Sequence, residues 1–223
     1  MKMIIATNFP TDLIELILSK SLKNEFTFRE VEAVCKDKIL SEKVEVLLAN
    51  VETRLDKNYL HELINLRVIL SPATGETHID KEYLREEGIE LLSIKGNSEI
   101  LHQVTSTAEF SWALFLNLFR YITLVSRSED LDSKSRNKYW SRQVKNMSIG
   151  IIGYGRVGRQ IGEFAHAFRA QVMATDIRSQ EYADYVEPCD LTTLLARADA
   201  VFISASVSNS NSNQIILSKE EHK

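Results

Sequence analysis

Apolar residues recur along this chain in two rhythms. Short apolar runs of strand length alternate with longer stretches whose apolar positions fall three or four apart. The first run is MIIAT, 3–7. Pro10 and Thr11 then open a helical pattern carrying Leu13, Ile14, Leu16 and Ile17. Further strands are predicted at 26–31, 44–50, 67–71 and 89–94. Helices are predicted at 55–66 and from Asp80, an N-cap candidate, to near Gly88. Strands and helices alternating at these lengths predict a parallel sheet with helices on both faces.

The rhythm changes after residue 94. A long helical segment is predicted at 104–126, followed by the polar connection SRSEDLDSKSRNKYWSRQ, 126–143. A new strand at 147–152 meets a glycine-rich turn. Beyond it come a helix at 156–169, a strand at 171–175, a short helix near 190–197 and a strand at 200–206. The stretch 208–214 is polar. The expected organisation is α/β throughout, with one domain over 1–104 and a second over 105–223.

Composition narrows the classes. The chain has 223 residues, 44% of them hydrophobic, which suffices for a packed core. Its 27 Lys and Arg against 31 Asp and Glu leave a net charge of −4. No basic block marks a nucleic-acid or membrane-surface partner. Cys35 and Cys189 stand far apart, outside any metal or redox spacing, so no metal site and a reducing, cytoplasmic setting are expected. The opening MKMIIATNFPTD does not read as a secretory signal. The most apolar stretch, FSWALFLNLFRYITLV at 110–125, carries Asn117 and Arg120 and is shorter than a membrane span, so it reads as a buried helix.

The candidate chemistry lies at 149–162, IGIIGYGRVGRQIG. Gly153, Gly155 and Gly158 have the spacing G-x-G-x-x-G between a strand and a helix. The first glycine permits the tight turn, the second lets a pyrophosphate approach the backbone, and the third lets the helix pack on the sheet. The helix N-terminus offers unpaired amides to a phosphate. Val157, Ile161, Ala165 and Phe168 share the helix face toward the sheet. Asp176 ends the next strand, roughly 20 residues beyond the turn, where a carboxylate accepts from the adenosine ribose hydroxyls and repels a 2′-phosphate. NAD is thereby favoured over NADP, with Arg178 as a counter-signal. A glycine turn without nucleotide and a methyltransferase-type turn are the alternatives at this point.

The wider pattern resembles the D-isomer-specific 2-hydroxyacid dehydrogenases. The matching pieces are TGETHID (74–80), EEGIELLSIKG (86–96), TAEFSWALFLNLFR (107–120), Trp140, the fingerprint at 149–176 and ADAVFISASVS (198–208). The resemblance implies a flavodoxin-like substrate domain followed by a Rossmann dinucleotide-binding domain. It implies hydride transfer between NAD(H) and a small 2-hydroxy or 2-oxo acid, and a homodimer formed through about 104–145. It places Ala73, Thr74 and Gly75 near the substrate carboxylate. Asn50 is either a substrate contact or an ordinary turn residue. Cofactor contacts are expected from Gly153, Tyr154, Gly155, Arg156, Val157, Gly158, Asp176, Ile177, Ser204, Ala205 and Ser206.

Hydride transfer also needs a cation on the substrate carboxylate and a proton donor tuned near neutral pH. The family's Arg, Glu and His for these tasks fall downstream of residue 223, so no catalytic residue is assigned. His61, His78, His102, His166 and His222 read as packing or surface residues. Ser206 stands where many members have a His. The chain is therefore expected to be an N-terminal portion, inactive alone, with an incomplete Rossmann domain holding only its first mononucleotide half. In that arrangement strand 147–152 would be an exposed edge, leaving the chain marginally stable or dimeric. The alternative is a catalytically inactive NAD-binding or protein-interaction protein.

Overall fold

Two separate parallel sheets organise the chain. In the computed structural model the described residues are 3–7, 9, 26–128, 135–178 and 181–205. They fall into two units, Met1–Leu101 and His102–Lys223. The helix predicted after Pro10 lies outside the described residues.

The first unit contains β1 (Met3–Thr7), β2 (Phe26–Glu30), β3 (Val46–Leu48), β4 (Val68–Ser71) and β5 (Glu90–Ser93). Their order is β2-β1-β3-β4-β5, with every neighbour parallel. This is the flavodoxin-like order. Between the strands run α1 (Val31–Lys36), α2 (Lys38–Ser41), α3 (Lys57–Leu60) and α4 (Lys81–Glu86), and α5 (Ser98–Gln103) follows β5. Leu47, Leu55 and Ile69 are fully buried in the core. Asp80 caps α4 by accepting from the amides of Glu82 and Tyr83 at 3.2 and 3.1 Å. Gly88, at φ +67°, closes it.

The helix expected over 55–66 is shorter. Asp56 caps the single turn of α3. The chain then steps through tight turns in which the Leu63 amide donates to Leu60 O and the Leu66 amide to Leu63 O. That three-residue step buries Leu60, Leu63 and Leu66 on one side without a continuous helix. The long helix expected over 104–126 is likewise two helices, α6 (Ser106–Phe119) and α7 (Ile122–Ser126). Tyr121 between them is left-handed, at φ 55°. Asn117 stabilises the break, since its Oδ1 accepts from the amide and the hydroxyl of Thr123 at 2.9 and 2.8 Å. No helix among the described residues is long and apolar enough to cross a membrane.

The second unit contains β6 (Ser148–Ile152), α8 (Arg156–Ala167), β7 (Gln171–Thr175), β8 (Val186–Pro188), α9 (Leu191–Arg197) and β9 (Ala200–Ile203). All neighbours are parallel, in the order β8-β7-β6-β9. A Cβ on Gly150 would meet Leu194 of α9, and a Cβ on Gly158 of α8 would meet Ile151. Successive residues of β6 therefore face helices on opposite sides, as in a doubly wound fold.

This order corrects the expected exposed edge. Strand 147–152 sits centrally between β7 and β9, with Ile149, Ile151 and Ile152 buried. The reason is β8, a three-residue strand of Val186, Glu187 and Pro188 that takes the third place. The strand near 200 is thus the fourth and crosses to the far side of β6. The sheet so holds the first half and the first strand of the second, rather than the first half alone. β9 is the edge strand among the described residues, and its Val201 and Ile203 are exposed.

Candidate functional site

The glycine turn forms where β6 ends and α8 begins. Gly153 is left-handed at φ +90°, and a Cβ there would lie 2.5 Å from the Ala205 amide nitrogen. Only glycine permits both this backbone and this approach. Gly158 is equally constrained, since a Cβ there would stand 2.2 Å from Gly153 O. Gly155 differs. It is the N-cap of α8, and a Cβ would meet nothing closer than Arg178 Nη2 at 3.6 Å. Two glycines are thus required by packing, while the third leaves space above the turn.

No side chain caps α8. In the first turn the amides of Arg156 and Val157 have no intrahelical carbonyl to bond, and the helix dipole adds positive potential there. The turn abuts the end of β9, where Ser204 donates its amide to Ile152 O at 2.8 Å. Neighbours β6 and β9 lead to opposite halves of the sheet order, so this is a topological switch point, the place where open α/β sheets bind ligands.

Asp176 follows β7 directly. Its Oδ2 accepts from the Tyr154 amide at 2.9 Å and its Oδ1 from the Arg178 amide at 2.9 Å. The carboxylate is thereby fixed beside the turn. Ile177 next to it is fully exposed. Two predicted contacts take other roles through their side chains. The Tyr154 ring is buried and stacks on Tyr182, with the Arg159 guanidinium over it. The Arg156 guanidinium donates to Val104 O at 2.8 Å, and Gln160 one turn later donates to the same carbonyl. Ser206 lies outside the described residues.

In the first unit, Asn50 and residues 73–75 follow β3 and β4, at the C-terminal ends of adjacent strands. Asn50 Oδ1 accepts from the amides of Glu52 and Thr53, both at 3.2 Å, so it shapes its own turn. Ala73 donates its amide to Ser71 Oγ. Thr74 and Gly75 are exposed. The strongest electrostatic feature of this turn is Glu76, which sequence reasoning passed over. Its carboxylate is nearly buried and accepts from Lys81 Nζ, Lys95 Nζ and Ser93 Oγ at 2.5, 2.8 and 2.9 Å. Burial pushes its pKa up, but the hydrogen bonds from the two ammonium groups and the hydroxyl prevail and bring it down to about 2. Its three partners lie 5, 19 and 17 residues away in sequence, so no local pattern announces the cluster.

The histidines hold varied places. His61 Nδ1 lies 2.7 Å from Asn58 O, and His166 stacks on Tyr185. His78 has a buried Nε2 without a partner among the described residues. His102 is exposed, and His222 lies outside the described residues.

Residues 5–154 match the family model of the D-isomer specific 2-hydroxyacid dehydrogenase catalytic domain, and residues 112–220 match that of its NAD binding domain. The chain belongs to the D-isomer specific 2-hydroxyacid dehydrogenase family. Members of this dehydrogenase family are NAD-dependent oxidoreductases, and NAD is the cofactor of the nucleotide domain. The chain is 28% identical over 206 residues to a hydroxypyruvate reductase of Thermotoga maritima, covering 92% of this chain and 64% of that protein. It is 26% identical over 208 residues to a D-3-phosphoglycerate dehydrogenase of Archaeoglobus fulgidus, covering 91% and 38%. The chain thus spans less than two thirds of either relative. Among solved structures it shares its fold with D-lactate dehydrogenase of Escherichia coli, at a TM-score of 0.74 and 17% identity over 95% of this chain and 67% of that one. The D-lactate dehydrogenase of Aquifex aeolicus, solved with NAD and lactic acid, gives a TM-score of 0.65 at 20% identity, over 93% and 62%.

Proposed function

We propose that this chain is the NAD-holding and substrate-carboxylate-holding portion of a dehydrogenase for a small 2-hydroxy or 2-oxo acid. The observation that carries the reading is the contrast within the fingerprint. Gly153 and Gly158 are required by the fold, whereas the space above Gly155 serves nothing in the fold itself. The amides of Gly155, Arg156 and Val157 bind the pyrophosphate. Asp176 accepts from the ribose hydroxyls, and Ile177 lends an apolar face to the adenine. Ser204 and Ala205 border the cofactor on the β9 side. Bound there, NAD supplies the hydride acceptor or donor. The backbone at 73–75 holds the substrate carboxylate, with Asn50 as a neighbouring support.

In this reading the residues named here hold cofactor and substrate, and none of them supplies the proton donor or the cation that turnover needs. The catalytically inactive binding protein remains the competing reading. The discriminating experiment is calorimetric titration of NADH into the chain and into Gly155→Ala. The substitution meets no atom closer than 3.6 Å, so the melting temperature stays unchanged while NADH binding falls at least about tenfold. Equal binding by both proteins would remove the phosphate role from the turn. An assay of the same protein with hydroxypyruvate or pyruvate is expected to show no NADH oxidation; measurable turnover would overturn the division between binding and catalysis.

The chain pairs with a second copy through α6 and α7. Phe110, Leu114, Leu118 and Ile122 recur every fourth residue, and all are exposed. A groove of about 460 Å³ lined by Leu118, Phe119 and Trp140 continues this face. Leu118→Glu is expected to turn dimers into monomers in light scattering at micromolar protein; an unchanged dimer would place the interface elsewhere.

A further inference from the structure

We infer that Arg156 is a positioning residue. Its side chain fastens the segment entering the second unit to the glycine turn, and nucleotide bound at the turn tightens that hold. This rests on the nucleotide reading above. The first unit ends at Leu101. Three residues on, the Val104 carbonyl accepts twice from α8, from Arg156 Nη1 at 2.8 Å and from Gln160 Nε2 at 3.3 Å. Both contacts are part-buried, and the first is charge-assisted. Thr105, which follows, directs its hydroxyl to Glu109 and caps no amide of α6. Side chains of α8 thus supply a hold on the entry to α6 that the cap residue does not.

Two features make this hold adjustable. Arg156 opens α8, whose first turn has no side-chain cap. An uncapped first turn opens more readily than a helix interior. A pyrophosphate accepting from the Arg156 amide supplies the missing cap. It thereby fixes the base of the same side chain that reaches Val104. The seam between α6 and α8 is also incompletely bonded. Gln160 Oε1 and Trp112 Nε1 are buried without a partner among the described residues. Trp112 packs on Phe164, one turn beyond Gln160. An acceptor and a donor left idle along one seam make it easier to loosen than a fully bonded one.

The test is hydrogen exchange over residues 103–109, followed by mass spectrometry in the native chain, Arg156→Met and Arg156→Lys. Each protein is measured free and with NADH at about ten times its own calorimetric Kd or more. In native protein NADH is expected to slow exchange over 103–109 at least about fivefold. Arg156→Met keeps the apolar stem and loses the donor. It should exchange faster when free, and NADH should then slow it less than about twofold. Arg156→Lys should fall between, since an ammonium still donates to a carbonyl but without the fork. Coupling is reciprocal, so Arg156→Met should also bind NADH about threefold to tenfold more weakly. A cooperative melt shows that each variant is folded. A role in packing alone would speed exchange equally in free and bound protein and leave the NADH effect intact; that result would overturn the inference. So would native protein that binds NADH without slowing over 103–109. Failure of native protein to bind NADH at all would overturn the nucleotide reading itself, and this inference with it.

Discussion

The two turns proposed to face ligands are held in opposite ways. The turn at 153–158 owes its shape to missing side chains. Gly153 and Gly158 bring three backbone segments to distances that no Cβ tolerates. The turn at 73–79 owes its shape to an added charge. Glu76 gathers Lys81, Lys95 and Ser93 from α4 and from the end of β5, and so ties the loop to its surroundings. A turn made by glycines keeps its shape at every pH and takes no side chain at Gly153 or Gly158. A turn made by an ion cluster tolerates changes of shape but depends on protonation and salt.

The largest effect should come from breaking the first device. Gly158→Ala puts a methyl group 2.2 Å from a carbonyl oxygen of the preceding turn, so α8 must lift off β6. A loss of roughly 3 kcal/mol or more is expected in urea denaturation of the second unit. An unchanged midpoint would mean that the helix is loosely seated. Set beside Gly155→Ala, this substitution separates the structural glycine from the one proposed to face the phosphate.

An intermediate effect should come from the second device. Glu76→Gln keeps the shape and removes the charge, and should cost about 1–2 kcal/mol at pH 7, a figure kept small because both lysines are half exposed. The pH dependence has a definite sign. The folded pKa of Glu76 is lowered from 4.5 to about 2, so its contribution is complete above about 4.5 and fades as the pH falls from there toward 2. Denaturation curves of native protein and Glu76→Gln should therefore converge on acidification through that window. Parallel curves would show that the cluster contributes through shape alone. The smallest effect should be at the helix that supplies Lys81. Asp80→Ala removes the cap of α4 and should cost about 1 kcal/mol. It should also loosen the Glu76 cluster, seen as faster hydrogen exchange over 74–79; unchanged exchange would uncouple the cap from the turn.

These two devices were unequally legible. The glycine spacing, its strand and helix, and Asp176 at the end of β7 follow one another in sequence, so the glycine turn could be read directly. Glu76 could not, because its meaning depends on lysines brought to it by α4 and the end of β5. The break at Tyr121 was hidden for a related reason, since the apolar pattern runs on across it and only the Asn117 side chain marks the new helix start. The side-chain roles of Tyr154 and Arg156 also escaped sequence reasoning, because burial against Tyr182 and reach to Val104 depend on packing.

Local chemistry alone determined the α/β alternation, the caps at Asp56 and Asp80, and the succession of strand, glycine turn and helix at 148–167. Each of these depends on neighbours within a few residues along the chain. Tertiary structure decided the strand order. Three residues, Val186, Glu187 and Pro188, are too few and too polar to announce a strand, yet by pairing with β7 they occupy the third place in the sheet. That single pairing sends β9 across β6, buries Ile149 and Ile151 at the centre instead of an edge, and opens the switch point beside Gly153. Strand order is a property of which edges remain available to pair, and no local pattern encodes it.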